Sequence, residues 1–345
     1  MSDENFSNID TEEEQDLYEH YKFVADPQQQ PLRIDKFLLD RLHNTSRNRI
    51  QNAIKAGNVL VNQSTVKANY KVKPHDEISI VLPYPKRHLR IHPENIPLNI
   101  VYEDEHIVVI NKQAGLVAHP GYSNFTGTLV NALLYHFGNL PSRDKEEPKP
   151  GLVHRLDKDT TGLMVIAKSE LALNKLSKMF FDRTVERRYY ALVWGDLETD
   201  GTIEGNIARN KSDRRIMDVY PEGETGKFAR THYKVIERLH YVTLVECKLD
   251  TGRTHQIRVH FKHIGHPLFG DVQYGGDKIL KGTTFSKYKQ FVQNCFKILP
   301  RQALHAKTLS FTHPATDKPM HFDSPLPEDF EQVLLKWKNY VQFNP

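Results

Sequence analysis

Residues 151–162, GLVHRLDKDTTG, place one carboxylate between an arginine and a hydroxyl-rich turn that ends in glycine. An apolar run at 163–167 follows directly and predicts a buried strand. Asp157 would therefore lie on a loop that is anchored by a rigid element, where binding and catalytic residues concentrate. This placement makes Asp157 the first candidate for a catalytic group.

Asp157 also has a structural interpretation. The run Asp-Lys-Asp-Thr-Thr-Gly at 157–162 is turn-forming chemistry, so its first carboxylate could simply cap a turn. Asp159 is the better candidate for that capping role. Taken alone, the motif leaves a catalytic role and a capping role open for Asp157.

The composition suits a protein that meets a polyanion. The chain has 345 residues, 39% of them hydrophobic, enough for two or three domains and a sizeable core. Its net charge of +4 understates the local field, because residues 1–16 hold seven acidic side chains and no Lys or Arg. The remainder is basic, as RNA-binding proteins and many other globular proteins are.

Cysteine usage and hydropathy indicate a reducing, aqueous environment. Cys247 and Cys295 are far apart and form no CxxC spacing, which argues against a disulfide framework and a cysteine zinc site. The N-terminus is acidic where a signal peptide is basic, and no run approaches the roughly 18 apolar residues of a membrane span. We therefore expect a soluble, cytoplasmic protein with no membrane partner, and a monomer.

Four regions follow one another along the chain. Residues 1–30 are acidic and polar and predict a disordered tail; 31–82 form a small unit; 83–98 contain four prolines and predict a linker; 99–345 form the large domain. In the large domain we predict strands at 100–102, 106–112, 163–168, 188–194, 232–238, 241–249 and 255–260, and helices at 128–137, 170–182 and 330–337. Such strands, with few helices between them, indicate an α+β domain built on a mixed, mainly antiparallel sheet.

The small unit is strongly basic. Its pattern predicts a helix from Ile34, a second helix that Ser46 caps and Gly57 ends, and short strands. Residues 31–90 carry twelve Lys or Arg against four acidic residues. Arg47 and Arg49 oppose the dipole in the first turn of the second helix, and a phosphate partner would explain them better than a solvated face. We therefore predict that this unit binds RNA.

Three further segments carry polar side chains at the ends of strands. They are VVINKQAGLVAHPG at 108–121, RRYYALVWG at 187–195 and TGRTHQIRVH at 251–260. Read as a strand, 255–260 places Gln256, Arg258 and His260 on one face, where they could line a cleft.

Taken in order, the four segments resemble the RluA family of pseudouridine synthases, whose signature is HRLDxxTSG. Here it reads HRLDKDTTG, and Thr161 keeps the hydroxyl of the usual serine. The small unit resembles the alpha-L RNA-binding domain, a pairing similar to that of the large-subunit ribosomal RNA enzymes of the RluD kind. The resemblance covers roughly residues 31–325. It implies the pseudouridine synthase fold with a central cleft and cofactor-free isomerisation of uridine in RNA, with large-subunit ribosomal RNA favoured and transfer RNA second.

The resemblance assigns the site residues position by position. The HRLD aspartate is Asp157, the tyrosine of KxYxA is Tyr189, and the arginine of GRxHQxR is Arg258. Arg155 corresponds to the arginine that helps to displace the target base. Two positions depart from the family pattern, Arg187 for Lys and Gln113 for Pro, and we expect neither to affect the chemistry.

The chemistry suits these residues. One charged carboxylate near the anomeric carbon suffices, because no water is activated, whereas glycosidases that use water need two carboxylates. Asp157 would attack covalently or remove a ribose proton, and the sequence does not choose between these routes. An ion pair with Arg258 would keep Asp157 charged and oriented, and Tyr189 offers a flat face for the detached uracil. Among nearby cations, Arg253 is the favoured phosphate contact, and the pattern favours an ordinary surface cation over a phosphate contact for Lys112.

Two other functions compete with this interpretation of the sequence. The histidines at 255, 260, 263 and 266 suggest a zinc hydrolase, but no HExxH helix exists, and His255 and His260 are expected on opposite strand faces. We therefore expect no metal and no cofactor. A non-catalytic RNA-binding protein would lack Asp157 or Arg258, and both are present.

Overall fold

The computed structural model describes residues 18–42, 45–82, 91–120, 124–143, 148–213, 215–221 and 225–343. The chain divides into two compact units, Met1–Leu89 and Arg90–Pro345. Within the described ranges, no helix has the length and apolar character needed to cross a membrane.

The smaller unit combines two helices with short antiparallel strands. Its elements are β1 (Tyr18–Val24), β2 (Leu32–Arg33), α1 (Ile34–Arg41), α2 (Arg47–Lys55), β3 (Val59–Val61), β4 (Ser64–Thr65), β5 (Lys71–Val72) and β6 (Glu77–Leu82). One sheet has the order β1-β6-β3-β4, and β2 pairs with β5. The Ser46 hydroxyl accepts a hydrogen bond from the Arg49 backbone N–H at 3.3 Å, which confirms the predicted cap of α2.

β1 differs from the predicted tail. It pairs antiparallel with β6, and Ala25 just beyond it is buried. Partly buried Phe23 packs against the core of this unit. The acidic composition of residues 1–30 as a whole concealed this short apolar segment, which forms a strand because β6 offers it a partner edge. Residues 1–17 of the expected tail lie outside the described residues.

A buried carboxylate joins the two helices of the smaller unit. Asp35 in α1 is fully buried and accepts hydrogen bonds from Arg33, from Arg47 at 3.0 Å and from Gln51 at 2.8 Å. Burial alone would raise the pKa of Asp35, but the hydrogen bonds from Arg33, Gln51 and Arg47 outweigh it and hold the pKa below its usual range. Both Arg47 and Arg49 are exposed, but the Arg47 side chain has a buried partner in Asp35.

We expect Asp35→Ala to lower the free energy of unfolding of this unit by about 2 kcal/mol at neutral pH. This is less than the ~3–5 kcal/mol of a fully buried pair, because the Arg33 and Arg47 side chains are 42% and 47% exposed and can be hydrated. Because the folded-state pKa is lowered, the stabilisation is complete above the unfolded pKa of about 3.9 and declines as the pH falls below it. Amide hydrogen exchange of α1 and α2 in the full chain measures the loss. Asp40→Ala, which removes an exposed carboxylate of the same helix, should have little effect.

The larger unit is built on one mixed sheet. Its elements are β7 (Ile100–Glu103), β8 (Ile107–Lys112), α3 (Leu129–Phe137), β9 (Thr161–Ala167), α4 (Glu170–Asp182), β10 (Glu186–Trp194), β11 (Gly201–Arg209), β12 (Met217–Tyr220), β13 (Lys227–Leu239), β14 (Val242–Leu249), α5 (Gln256–His263), α6 (Ser286–Ile298), β15 (Leu304–Thr312), β16 (Pro319–Asp323) and α7 (Glu328–Phe343). The sheet runs β12-β11-β13-β14-β10-β15-β9-β8-β7, with β16 also paired to β15. Among these described strands β9 and β15 pair in parallel and the other pairs are antiparallel, which confirms the predicted α+β class.

The sheet order brings distant segments together. β15 lies between β9, which follows the Asp157 loop, and β10, which carries Tyr189. Helices α6 and α7 bury aromatic side chains, Trp337 among them, against Trp194 of β10. Helix α4 packs Leu173 and Leu176 against β8 and β9. The middle of the sheet is thus a rigid base for the loops at its edge.

The expected linker divides in two. Residues 91–98 contact the larger unit: Glu94 donates its backbone N–H to Asn131 at 3.0 Å and accepts from the Gly127 N–H at 3.1 Å. Ile96 and Leu98 pack against its core. The segment 91–98 therefore belongs to the larger unit, contrary to the linker prediction, because it buries apolar side chains there. The remainder, 83–90, lies outside the described residues.

Candidate active site

The Asp157 loop is held by buried contacts on both sides. Arg301 donates to the Asp159 carbonyl at 3.1 Å, and the Thr160 N–H donates to the Asp157 carbonyl at 3.2 Å. Every residue of β9 is buried, as predicted. At Gly162 the φ is +114°, and an added Cβ would come within 2.3 Å of the Ala306 carbonyl oxygen. This position therefore requires glycine, and the loop enters β9 against β15.

Lys112 holds the same loop through hydrogen bonds from its ammonium group. It is 1% exposed, and its ammonium group donates to the backbone carbonyls of Lys158 at 2.9 Å, Leu116 at 3.0 Å and Gln113 at 2.8 Å. Burial lowers the pKa of Lys112 to about 7. The prediction that Lys112 is an ordinary surface cation or, less favoured, a phosphate contact is wrong, because the side chain is buried and its three hydrogen bonds are made inside the protein.

Asp157 and Arg258 form the predicted ion pair. The guanidinium Nη1 lies 3.1 Å from Asp157 Oδ2, with the two side chains 19% and 6% exposed. The same guanidinium makes two further bonds to Asp271, at 2.7 and 2.9 Å, and one to Gln273 at 3.0 Å. Burial lowers the pKa of Arg258, but the hydrogen bonds to Asp271 raise it by more. Arg258 is thus a permanently charged and fixed group beside Asp157.

The sequence did not predict Asp271 or Gln273. They lie in a turn after α5, in the stretch FGDVQYGG at 269–276, whose glycines signal a turn but not a partner for Arg258. The Asp271 side chain is 0% exposed. Its pairing with Arg258 follows from the packing of this turn against α5, which no local pattern reveals.

The segment that carries Arg258 is a helix, not the predicted strand. Residues 256–261 of α5 are all buried, so this part of the helix presents no exposed polar face. The alternation of polar and apolar residues imitated a strand because Gln256, Arg258 and His260 are buried with partners: Gln256 contacts Thr231 at 3.0 Å, and His260 contacts the same hydroxyl at 2.9 Å. The prediction that Gln256, Arg258 and His260 line one strand face, and that His255 and His260 lie on opposite faces, is therefore wrong.

Tyr189 lies in β10 on the wall of the same cleft. It is 6% exposed, and burial raises the pKa of its hydroxyl, with the Asp157 charge acting in the same direction. The hydroxyl is therefore neutral at neutral pH. Tyr190, the next residue, packs against the core cluster that contains Trp194 and Trp337, on the opposite side of β10 from Tyr189. The alternation of side chains along a strand predicted this difference.

A cleft of about 450 Å³ brings the candidate side chains together. It is lined by Asp157, Tyr189, His255 and Arg258, and by the cations Arg155, Arg183, Arg187 and Arg253. Arg155 is exposed, and Arg253 is half-buried with its Nε donating to the Phe228 carbonyl at 3.1 Å. Arg47 and Arg49 belong to the smaller unit.

Arg187 lines the cleft together with Asp157. Its guanidinium carbon is 5.2 Å from the centre of the Phe180 ring, and its Nε is buried with no hydrogen-bond partner among the described residues. That this departure from Lys leaves the chemistry unaffected stays a prediction. Gln113, the other departure, is exposed, and its side chain donates to the Pro97 carbonyl at 3.3 Å.

The histidines have separate structural environments. Burial lowers the pKa of His260 to about 4. His266 hydrogen-bonds the Trp194 carbonyl at 2.7 Å through Nδ1, and His263 is exposed. Within the described ranges no group of three His, Cys, Asp or Glu side chains is arranged to hold a metal ion.

Family comparisons agree with the two-unit division. A family model described as RNA pseudouridylate synthase matches residues 106–263, and an S4 domain model matches residues 32–78. The first match contains Asp157, Tyr189 and Arg258. The second lies in the smaller unit, which carries Arg47 and Arg49, and identifies that unit as an RNA-binding domain.

Similar proteins match over most of their length. An uncharacterized RNA pseudouridine synthase of Chlorobaculum parvum is 48% identical over 311 residues, 89% of this chain and 94% of that protein. The ribosomal large subunit pseudouridine synthase D of Haemophilus influenzae is 42% identical over 89% of this chain and 92% of its own. The structure of human RNA pseudouridylate synthase domain containing 4 covers 70% of this chain and 93% of its own, with 28% identity and a TM-score of 0.51. The chain therefore belongs to the RNA pseudouridine synthase family and is an isomerase of the RluA type with an N-terminal S4 domain.

Proposed function

We propose that this enzyme converts uridine to pseudouridine in large-subunit ribosomal RNA, with Asp157 as the catalytic carboxylate. The observation that carries the proposal is a pair of hydrogen-bonded contacts: Arg258 donates both to Asp157 and to Asp271. These contacts orient one carboxylate, that of Asp157, in a cleft that Tyr189 also lines. The choice of RNA rests on relatives of 41–44% identity that are named ribosomal large subunit pseudouridine synthase D. Transfer RNA is not favoured by those names.

The reaction needs a charged carboxylate beside the ribose. The bond from N1 to C1′ breaks, the uracil turns, a bond forms from C5 to C1′, the C5 proton leaves to solvent, and N1 takes up a proton from solvent. Asp157 acts by attack on C1′, forming an ester that breaks when C5 bonds to C1′, or by removal of the C2′ proton, which it returns to C2′ as C5 bonds to C1′. Arg258 supports both routes, because Asp271 fixes its guanidinium and the guanidinium in turn orients the Asp157 carboxylate in the cleft.

The target uridine must leave its stack to reach the cleft. Unstacking costs a few kcal/mol, which contacts at the mouth of the cleft must offset. Arg155 is exposed and lines the cleft. In this proposal its side chain occupies the space that the base leaves. Arg253 in the cleft, and Arg47 and Arg49 in the S4 domain, supply phosphate contacts that position the RNA.

Mapping pseudouridine tests the proposed function directly. Large-subunit ribosomal RNA transcribed in vitro is incubated with the protein, and pseudouridine is located by carbodiimide-dependent stops of reverse transcription. We expect new stops at one or a few uridines, and none with Asp157→Ala. Unmodified transfer RNA is treated in parallel. Modification of transfer RNA alone would overturn the choice of substrate, and no stop in either RNA would overturn the activity itself.

Tyr189 is expected to act mainly through its ring. Because burial raises its pKa, the hydroxyl is a poor proton acceptor at neutral pH, whereas the ring can support the detached uracil. Tyr189→Phe should keep activity within a few-fold, and Tyr189→Ala should lower kcat/KM by roughly 10- to 100-fold, as loss of ~1–3 kcal/mol of stacking implies. Release of tritium from C5-labelled RNA measures the rates. If Tyr189→Phe were as slow as Tyr189→Ala, the hydroxyl and not the ring would be essential.

A further inference from the structure

His255 lies beside Asp157 and has no role in the chemistry described so far. Its Nε2 is 3.9 Å from Asp157 Oδ1, and its Nδ1 is 2.8 Å from the Tyr274 hydroxyl. The backbone of His255 adopts the left-handed conformation, with φ 55°, which is uncommon for a residue other than glycine. The histidine thus precedes α5 in an unusual conformation that turns its ring toward the carboxylate.

The hydrogen bonds assign the proton on the His255 ring. The Tyr274 hydroxyl accepts from the Met217 backbone N–H at 3.0 Å. In the described part of the chain, His255 Nδ1 is the remaining partner within reach of the hydroxyl proton. Tyr274 therefore donates to Nδ1, and Nε2 carries the ring proton. Burial lowers the pKa of His255 by more than the Asp157 charge raises it, so the ring is neutral at neutral pH.

The space between His255 and Asp157 fits a group that accepts one hydrogen bond and donates another. A separation of 3.9 Å is too long for a direct hydrogen bond. Asp157 Oδ2 is held by Arg258, while no hydrogen bond from the described residues reaches Oδ1. A hydroxyl between the two side chains would accept from Nε2–H and donate to Oδ1. The ribose 2′-hydroxyl has this dual character, and it is bonded to C2′, next to the carbon at which the proposed reaction occurs.

We propose that His255 Nε2 and Asp157 Oδ1 together bind the 2′-hydroxyl of the target nucleotide, and that Tyr274 is a positioning residue that holds His255 in the required tautomer. The inference rests on the proposed function, because it places the target ribose against Asp157. It gives the site a means to distinguish ribose from deoxyribose at the one nucleotide that reacts.

Binding of product RNA tests this contact without turnover. Stem-loops carry pseudouridine or 2′-deoxypseudouridine at the mapped target position, and their affinities are measured by fluorescence anisotropy. We expect loss of the 2′-hydroxyl to weaken binding to the wild type about tenfold, the size of a hydrogen bond to a charged group. His255→Asn tolerates the left-handed backbone but has a shorter side chain, and it should reduce this discrimination to less than about threefold. Tyr274→Phe should reduce it in the same direction.

Effects of the hydroxyl that do not involve His255 cancel in the comparison, because they occur equally in wild type and variant. His263→Asn, an exposed histidine of α5, is the matched control and should keep the full discrimination. A folded His255→Asn protein that still discriminates tenfold would overturn the inference; if His255→Asn does not fold, Tyr274→Phe decides it by the same criterion. A wild type that forms no pseudouridine in the parent all-ribose stem-loop would instead overturn the proposed function.

Discussion

Replacement of Asp157 by asparagine is expected to abolish pseudouridine formation, with kcat lowered by on the order of 10⁴-fold or more, the scale seen when an essential catalytic group is removed. The amide keeps the shape of the side chain and can still accept a hydrogen bond from Arg258. It can act neither as a nucleophile toward C1′ nor as a base toward the C2′ proton. The loss of activity in this variant would therefore report the chemical role of the Asp157 carboxylate and not its contribution to packing.

RNA affinity should change far less than the rate in the same variant. Removal of a negative charge near a polyanion favours binding, whereas loss of the acceptor for the 2′-hydroxyl opposes it by less than about tenfold. Single-turnover release of tritium from C5-labelled RNA measures the chemistry, and anisotropy measures the binding. Asp159→Asn is the matched control, since it removes a carboxylate two residues further along the loop, and it should remain within a few-fold of wild type. Turnover by Asp157→Asn at the wild-type rate would remove Asp157 from the mechanism.

Short-range sequence patterns predicted those features of the fold and of the site that depend on neighbouring residues. The turn at 157–162 and the apolar run after it place Asp157 on a loop before β9, and both features are short-range. The strand with Tyr189 and Tyr190 also follows from alternation, because β10 separates two different cores. The Ser46 cap of α2 is a third case, since its bond spans three residues.

Long-range contacts limited the prediction elsewhere. Alternation misassigned α5, because residues 256–261 of this helix are all buried and show no helical stripe when their polar side chains are paired. The roles of Asp271 and Tyr274 could not be predicted from the sequence. Their contacts with Arg258 and His255 form only because the turn that carries them packs against α5. Lys112 resembled a surface cation, yet its burial depends on the loop that it supports. Composition averaged over 1–30 likewise hid β1, whose order depends on β6.

Arg258→Leu is expected to lower kcat by about 10²- to 10³-fold while RNA affinity stays near that of the wild type. This is the range for loss of one preorganised electrostatic contact. Without the guanidinium, Asp157 loses the 3.1 Å bond that orients it. The structure adds a complication, because the fully buried Asp271 loses its charged partner as well. We therefore also expect a loss of about 3 kcal/mol in the free energy of unfolding.

A second substitution separates the two effects. Asp271→Asn in the Arg258→Leu background removes the uncompensated buried charge, so it should recover part of the stability, which urea unfolding measures, without recovering activity. If Arg258 acts only by holding the fold, activity would return with stability in the double variant. If Arg258 orients Asp157, the double variant would be stable and still slow, because no substitution at Asp271 replaces the bond from the guanidinium to the catalytic carboxylate. Retention of wild-type kcat by Arg258→Leu would exclude Arg258 from the site altogether.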